Sequence, residues 1–109
     1  MAFQHERLAG GGWASLSFAE QMGNIGSEVS RAARWRGRDE ARFEGAVSRA
    51  LELFDLTVGD PRWRAGRRLR EILRAREAVC DAARGGSEYG GTLESLQKYF
   101  DAFAVAARR

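Results

Sequence analysis

The sequence predicts an all-α protein, an up-down-up-down four-helix bundle with a loose N-terminal tail. Three observations carry this. Apolar residues recur at helical spacing in four stretches, helix start and stop residues separate them, and no stretch alternates apolar and polar residues as a strand does. The chain has 109 residues, one domain's worth. At 44% hydrophobic and 30% charged, it can fill a core under a charged shell.

Residues 1–16 read as a flexible tail, with Gly10-Gly11-Gly12, no period, and the only histidine, His5. The bundle domain is expected over residues 17–109. Ser17 and Glu20 form a capping box that opens the first helix. Phe18, Met22, Ile25, Val29, Ala32 and Ala33 then share a face about 100° wide. Gly23 and Gly26 each weaken that helix by about 1 kcal/mol relative to Ala, which predicts close approach of a neighbouring helix. The helix ends near Gly37.

Asp39 caps the second helix, whose apolar face is Phe43, Ala46, Val47, Ala50, Leu51, Leu53 and Phe54. It stops near Gly59. Asp60-Pro61, a cap followed by proline at the first helical position, predicts a third helix running from there to about Arg84. Gly85-Gly86 is its exit, and the Gly-rich stretch 85–91 carries Tyr89, expected to pack back as a lid. Thr92 caps the fourth helix, where Leu93, Leu96, Phe100, Phe103 and Ala107 continue to the C-terminus. Short connections after the first two helices favour antiparallel neighbours. The apolar arc of the fourth helix, about 160° wide, exceeds what one chain is expected to cover. Together with the first helix it is expected to supply the surface of a homodimer.

One residue breaks the pattern. The third helix is expected to bury Leu69, Ile72, Leu73, Val79, Cys80 and Ala83, and Arg76 falls inside that arc. A guanidinium in a core needs a partner. Counting rise per residue along antiparallel helices makes Glu44 the first candidate and Glu28 the second. Arg76, Glu44 and Glu28 are therefore the candidate polar site, either an ion pair fixing register or a cationic site between helices. If the pair is buried, Arg76→Ala is expected to cost roughly 3 kcal/mol or more. Cys80 on the same face is expected to be a small core residue.

The charge is uneven. Residues 1–59 carry seven positives and eight negatives, residues 60–84 eight and four, and residues 85–109 three and three. Arg-Trp-Arg occurs at 34–36 and again at 62–64. The first copy ends a helix, where the dipole favours cations; the second begins one, where it does not. With the C-terminus returning to that end, Arg62, Trp63, Arg64, Arg67, Arg68, Arg108 and Arg109 form a candidate basic and aromatic patch, with Trp13 nearby. Such a patch either grips nucleic acid by charge and stacking or lids the bundle with its arginine heads in water.

Other chemistry is poorly provided for. One cysteine excludes an internal disulfide, and a single histidine in the tail leaves no His-based triad and no His/Cys metal set. No cofactor or metal is expected. The glycines at 85–91 lack phosphate-loop spacing. No apolar run is long enough to span a membrane, and the N-terminal residues lack a basic start followed by an apolar stretch, so no membrane and a cytoplasmic location are expected.

Several stretches resemble a small bacterial family of uncharacterised helical proteins across about residues 17–109: Ser27-Glu28-Val29-Ser30-Arg31, the run 50–57, the run 69–77, Glu88-Tyr89-Gly90, and Gln97-Lys98-Tyr99-Phe100. More distantly, the helical organisation resembles HEPN domains. That resemblance implies an all-helical, often dimeric protein, frequently paired with a nucleotidyltransferase-like partner in toxin–antitoxin systems. Ribonuclease members carry Arg, a polar residue and a later His. Here Arg76-Glu77 is followed by Asp81 at the His position, about 140° from Arg76 on the helical wheel. The expected function is non-catalytic protein–protein association by a helical bundle. The alternative is a HEPN-like nucleic-acid-binding protein or degenerate ribonuclease of a toxin–antitoxin pair.

Overall fold

The computed structural model describes residues 12–85 and 92–108. Three of its four helices start where their capping residues stand. Before α1 (Phe18–Trp35), Ser17 Oγ accepts from the Glu20 N–H at 3.1 Å, and the Glu20 carboxylate accepts from the Ser17 N–H at 2.8 Å. Asp39 accepts from the Arg42 N–H at 3.1 Å to open α2 (Glu40–Val58). Thr92 and Ser95 make a reciprocal pair before α4 (Leu93–Ala107). Each such cap satisfies amide groups that have no partner within the helix, about 1 kcal/mol apiece.

The third start differs from expectation. Asp60 and Pro61 open only a 3-10 turn, Pro61–Trp63, in which Asp60 accepts from the Arg62 N–H at 3.0 Å. The chain then breaks at Gly66, whose φ of +80° belongs to glycine, and α3 runs Arg67–Ala83 without a side-chain cap. The turn is held by long-range ties at Asp60 and Trp63, so the chain must be re-aimed before it can return along the bundle.

The result is an all-α four-helix bundle. Its central member is α1, which packs along both α2 and α4. Gly23 lies against Ala104, and Gly26 lies so close to Phe100 that an added Cβ would overlap the Phe100 Cβ. The close approach predicted from these two glycines is thus realised against α4. Contacts run in opposite senses along each pair: Trp35 meets Arg42 while Glu28 meets Arg49, and Gly23 meets Ala104 while Gly26 meets Phe100. Met22, Ile25, Phe54, Ile72, Leu93 and Phe100 form the driest part of the core. Because Met22, Ile25 and Val29 are consumed inside one chain, α1 keeps no apolar stripe for a partner, contrary to expectation.

Two more expectations need correcting. The tail assigned to residues 1–16 fails at its inner end, while residues 1–11 lie outside the described residues. Trp13 is 3% exposed in a 3-10 turn, Trp13–Ser15, and its indole N–H donates to Thr57 Oγ1 at 3.0 Å. A buried indole has both area and a hydrogen bond to hold it, and neither shows in a periodicity scan.

The second correction is the phase of α3. Its buried residues are Ile72, Ala75, Val79 and Ala82, while Leu73 is 43% exposed. Relative to the expected arc, the helix is turned by roughly 90°. Burying both Leu69 and Leu73 would also bury Arg76. Exposing a leucine costs about 2 kcal/mol, whereas desolvating a guanidinium costs several, so the rotated phase wins.

Candidate functional site

The structure does not assemble the expected Arg76, Glu44 and Glu28 site. Arg76 Nε donates to Asp55 Oδ1 at 3.2 Å, at the bundle surface, with the two side chains 30% and 60% exposed. Neither predicted carboxylate is its partner. Glu44 is exposed beside a small cleft lined by Phe43, Val47, Leu51, Cys80 and Arg84. Cys80 is half-buried, at the cleft rather than in the core. Glu28 is the buried carboxylate, 4% exposed, and takes Arg31 from its own helix and Arg49 Nε from α2 at 2.7 Å. Because α3 starts at Arg67 and not at Pro61, the rise to Arg76 is about 9 Å shorter than counted, which is just over half of the offset between Glu44 and Asp55 along α2.

The basic and aromatic patch is also divided. Arg62 is spent on Asp60, donating Nη2 to Oδ2 at 2.8 Å and Nε to Oδ1 at 3.1 Å, and it lies 4.4 Å over the Trp63 ring. Arg68 stacks 4.5 Å over Phe18 and 5.1 Å over Trp63. Arg64 is exposed, Arg67 turns to another edge of α3, Arg108 follows α4 as its C-cap, and Arg109 lies outside the described residues. At the opposite end, the other Arg-Trp-Arg copy is structural too. Arg36 donates to the Ala82 and Ala83 carbonyls at 2.8 and 2.9 Å, closing the C-terminus of α3 with a cation, and Arg42 lies 4.5 Å over Trp35.

Sequence reasoning missed the residue that organises the Trp63 end. Gln21 is fully buried. Its Nε2 donates to the Trp13 carbonyl and to Asp60 Oδ2, both at 2.9 Å, and its Oε1 accepts from the Trp63 indole N–H at 2.9 Å. The signal was available, since Gln21 lies beside Ile25 and Ala32 on the apolar wheel. Hydrogen bonds from Arg62 are the main reason the Asp60 carboxyl is held down at about 2, with Gln21 adding to them against the cost of burial. Every partner in this knot is satisfied, so it fixes the fold and leaves nothing free for a ligand.

An open feature lies on the other side, between α3 and α4. These helices touch lightly and leave a groove of about 730 Å³, lined by Arg67, Arg70, Glu71, Arg74, Ala75, Ala78, Leu96 and Tyr99. Its floor is apolar: the alanines come from the edge of the buried face of α3, and Leu96 and Tyr99 from the wide arc of α4. Arg67, Arg70 and Arg74 are exposed along its edge and form no ion pair among the described residues. Glu71 accepts from the Tyr99 hydroxyl at 2.8 Å. Burial, reinforced by that carboxylate, raises the Tyr99 phenol above its ordinary range, so the hydroxyl stays a donor.

The described residues contain no group of three or more His, Cys, Asp or Glu arranged to hold a metal ion. No helix among them is long and apolar enough to cross a membrane. Tyr89, expected as a lid, lies outside the described residues with the rest of residues 86–91; Gly85, with φ of +75°, follows α3 as expected of its exit. No protein-family model matches the chain, and no curated protein or solved structure matches it.

Proposed function

We propose that this protein is a non-catalytic association module of the cytoplasm and that the α3–α4 groove is where it binds another protein. The carrying observation is the open groove with its apolar floor at Ala75, Ala78, Leu96 and Tyr99, left where α3 and α4 touch only lightly. The wide apolar arc of α4 that suggested a dimer supplies half of that floor. A second copy is one way to fill it, so the homodimer reading is carried by the same groove. The test is amide chemical-shift mapping with an amphipathic helical peptide that has a leucine ridge and glutamine flanks. Shifts are expected at residues 67–78 and 96–99, and Ala78→Arg, which fills the groove from an already half-exposed position, is expected to abolish them. Binding that maps elsewhere would sink the proposal. Light scattering alongside separates self-association from capture of the peptide.

A second reading has its own observation. Arg67, Arg70 and Arg74 form a row of cations without an ion-pair partner among the described residues, a fitting contact for phosphate in a HEPN-like nucleic-acid binder. Glu71 inside the groove and the engagement of Arg76 by Asp55 count against it. Its signature is salt dependence: affinity for an oligonucleotide falls steeply with added salt, and Arg70→Ala flattens the slope.

A further inference from the structure

We infer that the occupant of the α3–α4 groove is an acidic amphipathic helix, with one apolar ridge and a row of carboxylates along a single flank. This rests on the groove being the binding site and names the chemistry it selects. Three features of the lining specify it. The cations are spaced i, i+3 and i+7 on one helix, so their guanidinium groups are presented along about 10 Å of one edge. A helix laid against α3 with Glu or Asp at the same spacing meets all three. The floor between them is apolar and built of small residues on the α3 side, Ala75 and Ala78, which lets a second helix approach closely. Glu71, the acid of the lining, already accepts from Tyr99 and is set against the floor, so it repels a second carboxylate less than a free one would. A helix with basic flanks meets three like charges instead. Nucleic acid offers phosphates for the arginines, but its bases find one aromatic ring in the floor, Tyr99, already packed edge-on against Phe100 and Phe103.

Three peptides with the same leucine ridge test the inference, carrying Glu, Gln or Lys along one flank. Titration calorimetry and shift mapping on the full chain are expected to give the Glu peptide roughly tenfold tighter binding than Gln, as three half-exposed ion pairs allow. The Lys peptide is expected to bind weakest. In the variant Arg67→Glu/Arg70→Glu/Arg74→Glu, which changes only exposed positions, the order is expected to invert. If all three peptides map to the groove with equal affinity, the groove reading stands and the acidic helix is overturned. If no peptide reaches residues 67–78 and 96–99, both are overturned. An unchanged order in the triple variant, a single-stranded oligonucleotide that displaces the Glu peptide, or a self-dimer that blocks it also overturns the inference.

Discussion

Gln21 and Arg76 illustrate what a polar residue on an apolar face implies. Both fall on expected core faces, yet Gln21 is buried with every hydrogen bond made, while Arg76 is carried to the surface by the phase of its helix. A neutral amide can be sealed inside by a carbonyl, an indole N–H and a carboxylate already paired with Arg62; a guanidinium cannot be dried without a matching carboxylate of its own. Gln21→Leu is therefore expected to cost about 2–3 kcal/mol in urea unfolding, because it strands the Trp63 N–H and removes a donor from Asp60. Arg76→Ala is expected to cost under about 1 kcal/mol, as an exposed pair should; a loss near 3 would restore the buried-pair reading. Asp60 contributes a pH dependence of known sign. Its carboxyl sits at about 2 in the fold against 3.8 for the ordinary group, so its stabilisation is complete above about pH 4 and drains away as pH falls toward 2. Roughly 2 kcal/mol is at stake, and Asp60→Asn should flatten unfolding free energy against pH across that window. Glu28 and Arg49 were legible only in part: the carboxylate lay at the edge of the α1 stripe, but its partner on α2 is set by tertiary register, which no local pattern contains.

Helices were legible wherever their ends are written in side-chain hydrogen bonds. The starts at Ser17, Asp39 and Thr92 fell where their caps stand. The start of α3 did not, because the same Asp-Pro signal opens a single 3-10 turn as well as a long helix, and the deciding residue, Gly66, carries no side chain to announce itself. The phase of α3 was lost for a related reason. Its hydrophobic residues are mostly small, so leucines dominated the wheel while the alanines made the contacts. The α1–α4 interface separates two glycines that look alike in sequence. Gly26→Ala is expected to lose about 1–3 kcal/mol, since its Cβ meets Phe100, while Gly23→Ala, at 3.4 Å from the Ala104 Cα, should be neutral or gain up to about 1 kcal/mol from helix propensity. Thermal unfolding of the two single variants checks this directly.

At the scale of the molecule, the all-helical class and the division into four helices followed from periodicity, whereas the groove did not, because it is a space left between helices and not a property of either. Both tryptophan clusters sit at the ends of the bundle with arginines over their rings, and Arg67, Arg70 and Arg74, which form no ion pair among the described residues, lie along α3 between them. Hydrogen exchange should register this division of labour: amides of α1 protected to the level of global unfolding, those in the middle of α3 exchanging faster. The Arg36 cap takes on a further meaning here. It fastens the C-terminal end of α3 to the end of α1, while Arg68 clamps the other end onto Phe18 and Trp63. A beam fixed at both ends and lightly supported along its span bows more readily than it slides. Bending of α3 is thus expected to concentrate at the mouth of the groove, so that an occupant there would be met by flexing one helix while the end ties hold the register of the bundle.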